Sequence, residues 1–131
     1  MHVVPLKDEK NAHPIADTWR PVIREIVRAL AEGDYGLVRG IPSVAPPSRA
    51  TAEQIRTYVA DFGEALAVVP DETWNSSVSQ WMETHWDLLV DLWTLESGRG
   101  DLALSLRVYE ADGGFSVRDR FTARPMTLSR T

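Results

Sequence analysis

The sequence predicts an α+β domain: two N-terminal amphipathic helices packed on one face of a C-terminal antiparallel meander of three to four strands. Three observations predict it. Apolar residues recur at helical spacing twice in the first half of the chain. From Gln80 onward the apolar period changes to two. Between two alternating runs falls Asp112-Gly113, a strong short hairpin dipeptide.

Residues 1–13 are polar and contain Pro5, which predicts a flexible lead-in to one domain over 14–131. In the first helix Trp19, Val22, Ile23, Ile26, Val27 and Leu30 share one face. Pro21 fits only a first turn, which places the N-cap near Thr18, and Gly33 supplies the stop. Residues 34–50 hold three prolines between 42 and 47 and predict a surface loop, with a short strand at Leu37 and Val38. A second helix opens at Thr51, where Gln54 completes a capping box. It buries Ile55, Tyr58, Val59 and Phe62, and it ends at Gly63. Residues 64–69 are apolar and fit a helix or a strand equally; 70–77 form a turn-rich link.

The first strand lies within Gln80–Leu95. Trp86, Leu88, Val90 and Leu92 point one way, and His85, Asp87, Leu89, Asp91 and Trp93 the other. Glu96–Gly100 reads as a hairpin loop. The second strand, Asp101–Tyr109, turns Leu102, Leu104, Leu106 and Val108 inward. Phe115–Ala123 is the third, with Phe115, Val117 and Phe121 on one face. A two-residue turn at Asp112-Gly113 sets Val108 opposite Val117 and Leu104 opposite Phe121. The same register drops Asp119 on the apolar side opposite Leu106, which calls for a bulge, a buried partner or a different register there.

Composition narrows the function. The net charge is −5 and no basic cluster is visible, so neither nucleic acid nor an anionic membrane is an expected partner. With no cysteine, disulfides, thiolate metal sites and a cysteine nucleophile are all absent. No run approaches the length of a membrane span and the N-terminus lacks signal-peptide character, so the expected location is cytoplasmic. No phosphate loop, dinucleotide fingerprint, G-x-S-x-G or H-E-x-x-H is present, and nothing calls for a cofactor. The acceptor Asn75-Ser76-Ser77 is idle in a cytoplasmic setting.

The residues that could carry chemistry lie on the polar face of the sheet. His85, Asp87 and Asp91 share one strand; Arg107, Arg118 and Arg120 share that face on the next two. As an enzyme, the protein would use His85 and Asp87 as base and orienter, Asp91 as a second acid and Arg107 as anion holder. The plainer reading is a wet face that alternates acids and bases as cross-strand pairs. One hairpin register puts Asp87 beside Arg107; the other puts it beside Tyr109. Trp93 on the charged side and Arg99 in the hairpin loop are candidate binding residues, with Arg118 and Arg120 beside them. Trp86 reads as core. His85 has no second histidine at ligand spacing, so no metal site is expected.

The stretch WDLLVDLWTLESGRGDL at Trp86–Leu102 resembles a family of small uncharacterised bacterial proteins, as do GDY at Gly33–Tyr35 and DETW at Asp71–Trp74. The resemblance covers about two-thirds of the chain. It implies a standalone domain in a bacterial cytoplasm and brings no catalytic role with it.

Two functions from different classes follow. The first is a non-enzymatic protein-binding module, accessory or immunity-protein-like, whose acidic balance suits a partner with a basic surface. The alternative is a cone-shaped domain resembling the nuclear-transport-factor-2-like superfamily, with a small-molecule or catalytic cleft at the polar sheet face. A homo-oligomer with packed sheet faces competes with both, though the mixed charge of the face disfavours a dry interface.

Overall fold

The computed structural model describes residues 3–125; the side chains of 100–101 and of 119–125 lie outside that description. The fold is α+β. Helix α1 (Arg20–Ala31) and helix α2 (Arg49–Phe62) precede most of a five-stranded antiparallel sheet in the order β1-β2-β3-β4-β5. The strands are β1 (His13–Pro14), β2 (Val78–Trp81), β3 (Trp86–Thr94), β4 (Gly98–Ala111) and β5 (Gly114–Pro125). The predicted meander is β3-β4-β5. The two further strands escape a periodicity search because they have only two and four residues.

Both helices carry the expected apolar stripes but start elsewhere. A 3₁₀ turn, Asp17–Trp19, leads into α1, so Trp19 and not Thr18 occupies the cap position, and Pro21 sits in the first turn. Helix α2 begins at Arg49, because the Ser48 side chain accepts the Thr51 amide at 3.1 Å and caps the helix a turn earlier than the capping box predicted. Gly33 and Gly63 take positive φ just past the two helices.

The core is one cluster. Ile23, Ile26, Val27 and Leu30 of α1 and Ile55 and Val59 of α2 meet the inward face of the sheet, including Leu88, Val90, Leu104, Leu106 and Val117. Trp86 is buried there, with Trp19 and Trp81 at 5.0 and 4.7 Å between ring centroids.

The two hairpins differ from a regular ladder at one place each. Ala111 pairs with Gly114, which leaves the expected two-residue turn with positive φ at Gly113, and Val108 pairs with Val117. A register shift then follows, and Phe121 rather than Asp119 stands opposite Leu106, with Ala123 opposite Leu104. Of the alternatives that the sequence left open, the irregularity is present, and the predicted register fails beyond it: Phe121 stands away from its predicted partner Leu104. In the first hairpin Gly98–Gly100 belong to β4 instead of the loop. Thr94 pairs with Gly98 and Trp93 with Arg99, before a shift brings Asp91 opposite Ala103.

The loops are tied to sheet edges. Leu37 and Val38 form no strand: Leu37 takes φ 51° to bury its side chain, and Val38 is 87% exposed. The 41–45 segment instead bonds to Val117, through Ala45 N to Val117 O at 2.8 Å and Val117 N to Ser43 O at 2.7 Å. Residues 64–69, open between helix and strand, are extended at Leu66, which bridges to Thr94. Where the sequence predicts a flexible lead-in, the chain from Val3 onward is bonded to the domain. Val3 exchanges bonds with Asp17, the Trp86 indole donates to Leu6 O, and the Gln80 amide donates to Asp8 O. Hydrogen bonds from His13 and from the Lys10 and Asn11 amides hold the Asp8 carboxyl down to about 2.

Candidate functional site

Strand alternation places Asp87, Leu89, Asp91 and Trp93 of β3 on the sheet face turned away from the core, and pairing fixes what stands beside them. Asp87 pairs with Arg107, the first of the two registers left open by the sequence. Arg107 Nε donates to Asp87 Oδ1 at 3.1 Å. His85 Nε2 lies 3.3 Å from the same oxygen, close enough for an ion pair but outside hydrogen-bond geometry. Its other ring nitrogen meets Thr84 Oγ1 at 2.7 Å. Tyr109 completes the cluster: its ring is 5.2 Å from that of His85, and the Arg118 guanidinium stacks over it at 3.9 Å. Burial opposes the charge of Arg107, but hydrogen bonds to Tyr109 and Asp87 outweigh it and raise the pKa above the ordinary arginine value.

This geometry limits the chemistry. A general base must offer an open nitrogen to a substrate proton. His85 Nε2 is buried against the sheet, and its neighbour Asp87 is already committed to Arg107. Two clefts, of about 600 and 390 Å³, open elsewhere on the molecule, and His85, Asp87 and Arg107 line neither.

Asp91 is not part of this cluster. It sits four residues along β3 from Asp87, about 13 Å at the ordinary rise of a strand. Its partners come from the link before β2. Ser76 Oγ donates to its carboxylate, Ser77 Oγ accepts its amide at 3.0 Å, and Thr73 Oγ1 donates to its carbonyl at 2.7 Å. Asp91 therefore anchors the link to the sheet at the point where the β3–β4 register shifts. Arg99 Nη1 approaches its carboxylate at 3.8 Å and stays largely exposed. Trp93, placed on the charged side as expected, is half-buried, and Gly98 crosses beside its ring. Its indole Nε1 is buried and has no hydrogen-bond partner among the described residues. Arg118 is exposed on β5; the side chain of Arg120 lies outside the described residues.

Two features of this face escaped the sequence reading. The contacts of Tyr109 with His85 and Arg118 were not foreseen, since the sequence offered it only as the alternative neighbour of Asp87. Val78 and Leu89, cross-strand partners in the middle of the face, stay exposed at 37% and 36%. Leu89 was legible as an apolar residue in a polar phase; Val78 was not, because β2 itself was not. Among the described residues no three His, Asp or Glu side chains gather as a metal would require. No helix among the described residues is long and apolar enough to cross a membrane.

A family described as a domain of unknown function (DUF7668) matches residues 27–119. The match runs from the middle of α1 to the middle of β5, and it takes in His85, Asp87, Asp91, Trp93, Arg99, Arg107 and Arg118 but stops short of Arg120. No curated protein and no solved structure matches the chain.

Proposed function

We propose that this chain, which belongs to the DUF7668 family, is a non-enzymatic protein-binding module that presents the outer face of its sheet to a partner, in the manner of an accessory or immunity protein in a bacterial cytoplasm. One observation carries the reading. Asp87, Arg107 and Asp91 bond to one another or to the scaffold, whereas an apolar pair, Val78 and Leu89, is left open among them. An exposed apolar centre with a polar, hydrogen-bonding surround is the anatomy of a recognition surface.

The face also bears on the partner's charge. Among the described residues Arg99, Arg107 and Arg118 lie on it against Asp87 and Asp91, so the described part of the face does not share the net acidity of the chain. A partner of acidic or mixed surface suits this face better than the basic one that overall composition suggests. The nuclear-transport-factor-2-like alternative needs the polar face to wall a cleft, and the clefts described above lie away from it.

Native mass spectrometry on the protein captured gently from its host tests the reading. A retained second polypeptide in defined stoichiometry is the expected result. A retained small molecule with no polypeptide overturns it.

A further inference from the structure

A second region of the molecule, on the inward side of the sheet, has a different chemistry. The rings of Trp81, Trp86, Trp19 and Phe115 form a continuous run, with successive centroids 4.7, 5.0 and 6.5 Å apart. The cleft of about 390 Å³ opens against this run, with Trp19, Trp86 and Phe115 in its wall beside Thr18, Lys7 and Glu110. Its size is near the lower end of small-molecule sites.

The wall favours one charge type. Aromatic faces carry negative potential and attract cations. Glu110 adds a carboxylate. The indole N–H of Trp86, which could have served an anion, already donates to Leu6 O at 3.0 Å. The chain itself places a cation here: Lys7 Nζ lies 2.8 Å from Glu110 Oε1 and 5.1 Å from the centroid of the Trp81 ring. An ammonium group thus already rests between the acid and the aromatic run, brought there by the N-terminal segment.

We infer that this cleft binds a small organic cation, an alkyl- or methylammonium compound that seats its charge between Glu110 and the aromatic wall and competes with Lys7 for it. The site goes beyond the protein-binding face and shares none of its residues. Lys7 and Glu110 are both about half exposed or more, so replacing either leaves the fold in place.

Choline is the probe and 3,3-dimethylbutanol its uncharged isostere. Both are titrated into the full chain while the indole N–H resonances of Trp19 and Trp86 are followed by NMR. Choline is expected to shift these two resonances and the isostere to leave them nearly unmoved. Lys7→Ala should tighten choline binding about fivefold and Glu110→Gln weaken it about fivefold, the span of one solvent-exposed cation–aromatic or ion-pair contact. The inference is overturned if choline moves neither resonance even in Lys7→Ala. It is overturned equally if the isostere binds as well as choline, or if Lys7→Ala weakens binding.

Discussion

Asp87 is tied to the sheet by two neighbours. Its Oδ1 atom faces Arg107 Nε at 3.1 Å and His85 Nε2 at 3.3 Å, so one oxygen serves both neighbours. The Arg107 side chain is only 25% exposed, and losing its carboxylate would leave a half-buried cation with Tyr109 as its remaining support. Asp87→Ala is therefore expected to destabilise the protein by about 1–2 kcal/mol, measured as a lowered urea midpoint. An unchanged midpoint would show that the pair is ornamental. Alternation put Asp87 and Arg107 on one face but left Asp87 beside either Arg107 or Tyr109, and only the strand pairing decides between them. The anchoring of Asp91 was not legible: its partners Thr73, Ser76 and Ser77 come from a link without periodicity, and nothing in the β3 pattern distinguishes it from Asp87.

At the scale of elements, strand period and turn chemistry proved the most informative signals. The Asp112-Gly113 turn set the local register, and the awkward placement of Asp119 marked the place where that register breaks without saying how. Helix starts were less legible, since Ser48 and Thr51 are both competent caps three residues apart. Pro47 precedes Ser48 and favours extended backbone ahead of the helix, but only the Thr51 N to Ser48 Oγ bond decides between them. Ser48→Ala should cost about 1 kcal/mol in thermal or urea unfolding, and Thr51→Ala less than half of that. The reverse order would restore the capping box at Thr51. Strands β1 and β2 were hidden by their shortness, and the docking of residues 3–14 for another reason. Their bonds run through main-chain atoms such as Leu6 O and Asp8 O, which leave no mark on the side-chain pattern.

On the scale of the whole molecule, the two faces of the sheet have separate tasks. The inward face holds the helices and the aromatic run in one continuous core. The outward face is free of them, carries an ordered network of His85, Asp87, Arg107, Tyr109 and Arg118, and leaves Val78 and Leu89 open beside it. In the proposed function, such a hydrogen-bonded network beside a small apolar pair would fix the shape of the surface before a partner arrives and so lower the ordering cost of binding. The binding affinity of the captured partner for two matched variants tests this division most directly. Leu89→Lys places a charge at the centre of the proposed surface. Val38→Lys places one on an apolar residue that is 87% exposed in the loop after α1. A loss of roughly tenfold or more for Leu89→Lys, with Val38→Lys within about twofold of the parent, is the predicted result. Equal affinity for Leu89→Lys and the parent, or a larger loss for Val38→Lys, would place recognition elsewhere on the molecule.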